Sequence, residues 1–240
     1  MRSLENVSIV LTGATGGMGI ATALQIARPR VNLAICSLHS PKLEELSRRL
    51  TDKGATVYSH VVNVTREEQV QSFMEDAADR FGKLDMLLNF AGLSVTAKIT
   101  ELAEEAYDQV MDVNVKGMFF SIKHFLPHVD EEKGALIVNV GSMASKRPNP
   151  STPHYCAAKA AVNVFAQGLA EQLKGKNIRI TTINPGPTDT TFFEGRIPKE
   201  KRTKFMKAED IAEVIEFVLT RDSRIVFHDI MFDSFEYFKG

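Results

Sequence analysis

Tyr155 and Lys159 stand four residues apart in a helix-favouring run that continues Ala160-Ala161-Val162. On a helix that spacing stacks the two side chains on one face. The phenol hydroxyl and the ammonium can then serve one reaction centre. A phenol with a pKa of about 10 is a poor base at neutral pH. A neighbouring cation favours phenolate and turns tyrosine into a usable acid/base. Ser142 follows an apolar run, Ala135 to Val140, that reads as a buried strand. Its hydroxyl is suited to hold a substrate oxygen within reach of Tyr155. Alone, Y-x-x-x-K also describes a surface tyrosine and lysine on any helix.

The elements that must position these groups begin at the N-terminus. Val7 to Thr12 is β-rich and runs into Gly13-Ala-Thr-Gly16-Gly17-Met-Gly19, and a helical pattern follows from Ile20 to Arg28. Strand, glycine loop and helix bring a diphosphate against helix N-terminal amides, and glycine removes the Cβ that would block its approach. The spacing T-G-x-x-x-G-x-G differs from both G-x-G-x-x-G and the P-loop. With Gly16 counted it also fits T-G-x-x-G-x-x-G.

Further strands are expected at Asn32 to Cys36, Thr56 to Val61, Leu84 to Asn89, Ile178 to Asn184 and Ile225 to Met231. Helices are expected from Ser40-Pro41 to about Lys53, from a Thr65-to-Glu68 capping box to Phe81, from Tyr155 to about Gly175, and over Asp210 to Leu219. Alternation of this kind predicts a parallel sheet covered by helices on both faces. Asn114 lies inside a long helical segment, where asparagine is a poor former and so needs a reason.

In this order, Thr12-Gly13-x-x-x-Gly17-x-Gly19, Asn89-x-Ala91-Gly92, Asn114, Ser142, Tyr155-x-x-x-Lys159 and Asn184-Pro185-Gly186 make the chain resemble the classical short-chain dehydrogenase/reductase (SDR) family over nearly its full length. The resemblance implies one α/β domain over 1–240, a Rossmann-type doubly wound sheet of seven parallel strands, with a substrate lid over about 189–207. It implies a catalytic tetrad of Asn114, Ser142, Tyr155 and Lys159. It assigns cofactor contacts to Gly13, Thr15, Gly16, Gly17, Met18 and Gly19, and to Ser37, Leu38 and His39. Asn63, Val64, Asn89, Ala91 and Gly92 continue that surface, and Tyr155, Lys159, Pro185, Gly186, Thr188 and Thr190 complete it around the nicotinamide. The implied activity is NAD(P)-dependent hydride transfer between nicotinamide and a carbonyl or secondary alcohol. Tyr155 would exchange the proton, with Ser142 polarising the oxygen and Asn114 holding a relay water.

Some positions depart from the family pattern. Phe90 replaces a second asparagine, Asn63 stands where an aspartate is usual, and Arg30 occupies a position usually held by glycine. At the end of the second strand Cys36, Ser37 and Leu38 include no acid, so the usual NAD signature is missing. Ser37, His39 and Ser40 offer donors to a phosphate, which favours NADP(H) over NAD(H). Ser94, Val95, Met143, Pro187, Phe192 and Phe193 are expected to line a mainly apolar substrate pocket. The glycine-rich ending common in acyl-carrier-protein reductases is missing. Two rivals are a sugar-nucleotide epimerase or dehydratase, against which the short stretch after Lys159 argues, and a non-catalytic dinucleotide sensor, against which the complete tetrad argues.

The chain of 240 residues has 44% hydrophobic and 25% charged residues and a net charge of -1. Nothing in that balance points to a nucleic-acid or membrane partner. No apolar run approaches the ~20 residues of a membrane span. Cys36 and Cys156 have no metal spacing, and His124 and His128 lack a third ligand, so no metal is expected. Free thiols without a signal peptide point to the cytoplasm. Family members commonly pair through the segments here at about 116–126 and 155–173, which predicts a homodimer or homotetramer acting on a small-molecule carbonyl or alcohol.

Overall fold

Alternating side chains along each strand explain how the sheet acquires two dry faces. The computed structural model describes residues 3–239. Its strands β1 (Val7–Thr12), β2 (Val31–Ser37), β3 (Thr56–Val61), β4 (Met86–Asn89), β5 (Ala135–Val140) and β6 (Ile178–Pro185) are all parallel. Within β1, Ile9 and Leu11 point to one face and Val10 to the other, and Leu33, Ile35 and Ala34 of β2 divide in the same way. Every residue of β1, β4 and β5 is buried, as expected of parallel strands covered on both sides.

Helices α1 (Gly17–Ile26) and α2 (Ser40–Asp52) cover the first face. There α2 contributes Leu43, Leu46 and Leu50 at helical spacing. Helix α3 (Glu67–Phe81) brings Val70, Phe73, Met74 and Ala77 to the opposite face. Helices α4 (Glu104–Met111) and α5 (Gly117–Phe125) are joined by a single wide π-helical turn, Asp112–Lys116, and α5 lies on the α3 side with α6 (Pro153–Gln172). After β6, a short pair β7 (Thr188–Asp189) and β8 (Met206–Lys207) frames a segment holding α7 (Lys199–Arg202). Helix α8 (Ala208–Leu219) packs on the α1 face with Ile211, Ile215, Val218 and Leu219. Strand β9 (Asp229–Phe232) closes the edge beside β6, and α9 (Phe235–Phe238) follows. The order β3-β2-β1-β4-β5-β6-β9 is the seven-stranded doubly wound arrangement expected from the sequence.

Three local expectations differ from what forms. Thr65 does not cap α3: its hydroxyl donates to Asn63 Oδ1 at 2.9 Å, Arg66 takes the cap position, and the helix begins at Glu67. A side chain bonded within its own turn is lost to the helix end. Helix α6 stops at Gln172 rather than at Gly175, and the last strand begins at Asp229 rather than at Ile225. Arg30 does adopt the left-handed conformation that glycine would take at no cost, with φ 66°. It is held by Glu5 at 3.2 Å and by its Nε–H donating to Asn6 Oδ1 at 3.2 Å.

Candidate active site

The carboxyl ends of β1, β4, β5 and β6 carry Thr12, Asn89, Asn139 and Asn184, a row of buried polar side chains where a doubly wound sheet opens. Thr12 Oγ1 donates to Asn89 Oδ1 at 3.4 Å, and Asn89 Nδ2 donates to Asn139 Oδ1 at 2.9 Å. The glycine loop meets this row directly. Gly13 has φ 65°, and a Cβ on it would lie 2.5 Å from Ala91 N, so only glycine lets the two loops touch. A Cβ on Gly17 would strike the Thr190 side chain at 2.6 Å. No side chain caps α1 and its first turn holds no acid, so no carboxylate competes for the amides of that turn. A dinucleotide diphosphate fits this cradle.

The remaining expected cofactor residues fall around the same surface. Thr15 Oγ1 and Ser37 Oγ lie 2.5 Å apart, joining the glycine loop to the end of β2. Leu38 is 60% exposed, and His39 is the exposed cap of α2. Asn63 Oδ1 is engaged by the Thr65 amide and hydroxyl, and Val64 is buried against Gly117. Met18, Pro185, Gly186, Thr188 and Thr190 border the large cleft described next.

Ser142 and Tyr155 both line that cleft of about 600 Å³. The serine hydroxyl accepts from Ala144 N at 3.1 Å and lies close enough to the phenol to draw its pKa down. Lys159 is buried one turn along α6, with Nζ 5.8 Å from the Tyr155 ring centre and donating to Val140 O at 2.8 Å. Burial pushes Tyr155 up to about 12; the Ser142 hydroxyl and the Arg196 charge oppose that rise, and Cys156 adds to it. Burial alone pushes Lys159 down to about 8. The sequence led us to expect a phenol lowered by Lys159, whereas here burial dominates both groups. Tyr155 is therefore neutral at neutral pH, a proton donor.

Asn114 earns its place in the π turn. Its Nδ2 donates to Leu93 O at 2.7 Å and to Val110 O at 2.8 Å, while Oδ1 has no hydrogen-bond partner. That oxygen, Lys159 and Asn139 line a void of about 10 Å³, room for one water molecule. Asn139 Nδ2 likewise lacks a partner. A Cβ on Gly92 would come within 2.9 Å of Asn114 Oδ1, so Gly92 keeps this space open.

Of the expected substrate-pocket residues, Ser94, Met143, Pro187, Phe192 and Phe193 line the cleft, and Val95 does not. Arg196 and Asn163 belong to the site without having been singled out by the sequence. Arg196 is one of several cations between residues 189 and 207, and spacing does not rank them. Asn163 stands four residues beyond Lys159 on the face that Tyr155 and Lys159 already define, a legible signal. Its Nδ2 donates to Asn184 Oδ1 at 3.1 Å and to Lys159 O at 3.0 Å. His124 lies 3.0 Å from Glu67, remote from this constellation in the fold. Among the described residues no helix is long and apolar enough to cross a membrane.

Comparison with known proteins agrees with this geometry. The short chain dehydrogenase family model matches residues 7–201. An uncharacterized oxidoreductase of Staphylococcus saprophyticus is 32% identical over 231 residues, covering 96% of this chain and 98% of the relative. A 3-oxoacyl-(acyl-carrier-protein) reductase of Thermotoga maritima is 30% identical over 231 residues, covering 93% and 94%. Among solved structures, an alcohol dehydrogenase from Thermococcus sibiricus complexed with 5-hydroxy-NADP superposes with TM-score 0.88 at 28% identity, covering 96% and 97%. An NAD+-bound xylitol dehydrogenase superposes with TM-score 0.88 at 25% identity, covering 97% and 100%. The chain belongs to the short-chain dehydrogenase family.

Proposed function

We propose that this chain is an NAD(P)-dependent oxidoreductase that interconverts a carbonyl and a secondary alcohol, with NADP(H) preferred. A dinucleotide held on the glycine loop at the start of α1 would supply or accept the hydride. The chain's own groups then handle one oxygen and one proton. A carbonyl oxygen seated between Ser142 Oγ and the Tyr155 hydroxyl is polarised by the serine and protonated by the tyrosine. In the reverse direction the tyrosine must accept a proton. The Arg196 and Lys159 charges are the cations placed to support the phenolate that forms in the exchange. The void between Asn114 Oδ1 and Lys159 suits a relay water that would return the proton to Lys159. The observation that carries this reading is that Ser142 and Tyr155 share the wall of the cleft with Lys159 buried one turn behind the tyrosine.

Cofactor preference rests on the end of β2. Thr15 and Ser37 place two hydroxyls side by side there, and Ser37-Leu38-His39 contains no carboxylate to repel a 2′-phosphate. Pairing of subunits is supported by the outer faces of α5 and α6, where Phe119 is 39% and Val164 67% exposed. We expect a dimer or tetramer by light scattering at micromolar protein; a monomeric mass would contradict this. Replacement of Tyr155 by Phe tests the chemistry. Turnover of a working ketone should fall by about three orders of magnitude or more; turnover within a few-fold of the parent would sink the assignment.

A further inference from the structure

The cleft wall is aromatic and nearly neutral, with one uncompensated charge. From Tyr155 a chain of rings runs outward: Phe192 at 5.9 Å between centres, Phe193 at 5.2 Å, Phe205 at 5.3 Å and Tyr237 at 5.4 Å. The charged residues lining the cleft are Arg147, Asp233 and Arg196. Arg147 and Asp233 are an ion pair, with the Asp233 carboxylate largely buried. Among the described residues Arg196 has no carboxylate partner. Its guanidinium carbon lies 5.0 Å from the centre of the Phe192 ring, and Nη2 donates to Ser94 O at 2.5 Å. Stacking and that bond hold the planar group in place, while a guanidinium carries five N–H donors in a fixed fork. The donors left over have no anion to meet in the protein. The charge also acts on the reaction centre, since it opposes the rise of the Tyr155 pKa.

We propose that Arg196 is a specificity-determining residue that receives an anionic oxygen group of the substrate, a carboxylate or phosphate. It sits one aromatic ring beyond the group that reacts. The substrate class is then a ketone, or the matching hydroxy compound, whose anion is separated from the carbonyl by a short apolar spacer lying along Phe192. The inference rests on the dehydrogenase reading for the position of the carbonyl. The other lid arginine cannot take this role, because Arg202 Nη1 is bonded to Asp189 at 2.7 Å. A cofactor phosphate is the competing source of the anion. Against it, the contacts of Arg196 are Phe192 and Ser94, and Thr190 rather than Arg196 lies over the glycine loop.

The test compares matched substrates of graded spacer length: oxo carboxylic acids, their methyl esters and the corresponding ketone phosphates, assayed with NADPH on wild type, Arg196→Ala and Arg196→Lys. Wild type should favour an anionic member over its ester by about tenfold or more in kcat/KM, a difference of about 1.4 kcal/mol. That ratio should collapse towards one in Arg196→Ala, return in part in Arg196→Lys, and fall as salt is raised. Equal ratios in wild type and Arg196→Ala overturn the proposal while leaving the dehydrogenase reading intact. So does a loss confined to NADPH affinity, which would give the anion to the cofactor. If no compound in the panel is turned over, the substrate lies outside the panel and the dehydrogenase reading is left to the Tyr155→Phe test on another ketone. Calorimetric binding of the same acids to wild type and Arg196→Ala then still decides whether Arg196 holds an anion: binding lost in the variant supports it, and equal or absent binding overturns it.

Discussion

Asn163 and Asn184 form a reciprocal amide pair. Asn184 Nδ2 donates to Asn163 Oδ1 at 2.9 Å, and Asn163 Nδ2 returns a bond to Asn184 Oδ1 at 3.1 Å. The same Asn184 oxygen accepts from the Ser142 backbone amide at 2.8 Å, and the same Nδ2 donates to Asp229 Oδ1 at 2.6 Å. One side chain thus ties Ser142 to the helix of Tyr155 and Lys159 and to the last strand. We predict that Asn163→Ala destabilises the fold by about 1–3 kcal/mol, because it leaves buried groups without partners. It should also lower kcat about tenfold while KM for cofactor changes little. Denaturant unfolding and steady-state kinetics measure the two effects. A loss of stability with kcat intact would show the pair to be structural only.

Lys159 makes a prediction about pH and stability. Its folded pKa lies at about 8 against an ordinary 10.5. Below about pH 8 both folded and unfolded chains hold the proton, and the folded chain bears the whole cost of the buried charge, on the order of 3 kcal/mol. Between about 8 and 10.5 the unfolded chain holds more protons, so stability from this group rises with pH. Lys159→Met should therefore be inactive yet more stable than wild type at pH 7 by about 2 kcal/mol, allowing for the lost bond to Val140 O. The advantage should fade towards pH 10.5. Urea unfolding of both proteins across that range decides it; a difference independent of pH would refute the burial argument.

Tyr155, by contrast, is raised to about 12 and is protonated throughout the ordinary range. The form needed to reduce a carbonyl is already dominant, whereas oxidation of an alcohol needs the scarce phenolate. We predict a nearly flat pH profile for reduction from pH 6 to 9 and a rise of about tenfold per pH unit for oxidation. Initial rates in both directions on one substrate pair would check this. Parallel profiles would mean that another group limits proton transfer.

Leu38 tests the cofactor preference. It is exposed at the end of β2, next to the Thr15–Ser37 hydroxyl pair. Leu38→Asp would set a carboxylate where a 2′-phosphate is expected. NADPH affinity should drop by about tenfold or more, with NADH affinity held or improved. Fluorescence titration reads both. An unchanged NADPH affinity would place the adenosine ribose elsewhere.

The sheet and helices were legible because their signals are periodic. Apolar residues two apart in β1 and three or four apart in α2 and α3 need no tertiary information. Tyr155 and Lys159 were legible for a related reason, since helical spacing fixes which side chains share a face, and Ser142 because it follows the apolar run of β5. The lid was not. Its elements are two to four residues long, and its cations look alike until their partners are seen: Arg202 meets Asp189, and Arg196 meets only a ring and a carbonyl oxygen. The cap of α3 was misread because Thr65 has two possible partners, a helix amide and the nearby Asn63 oxygen, and sequence does not say which wins.

Arg30 shows what a single backbone angle costs. Its left-handed φ of 66° carries a penalty of about 1–2 kcal/mol for a residue with a Cβ. The ion pair with Glu5 is exposed on both sides and returns little. We predict that Arg30→Gly stabilises the chain by up to about 1 kcal/mol once the greater freedom of glycine in the unfolded state is counted. Denaturation midpoints at equal slope would show it, and a destabilised variant would mean that the Asn6 and Glu5 contacts outweigh the strain.

The wide turn at Asp112–Lys116 makes Asn114 a matter of chain length as well as of residue identity. A π turn is an α-helix with one residue inserted. Deleting any one of residues 112–116 would let the segment close into an unbroken α-helix without that extra residue. The wide turn absorbs its extra residue locally, so Met118, Ile122 and Phe125 would keep their face on the sheet, while the amide at 114 would leave the carbonyls of Leu93 and Val110. A descendant chain can therefore lose the Asn114 geometry through a three-nucleotide deletion that leaves Asn114, Ser142, Tyr155 and Lys159 unsubstituted. Helix length between α4 and α5 is as much a marker of a working copy as the asparagine itself.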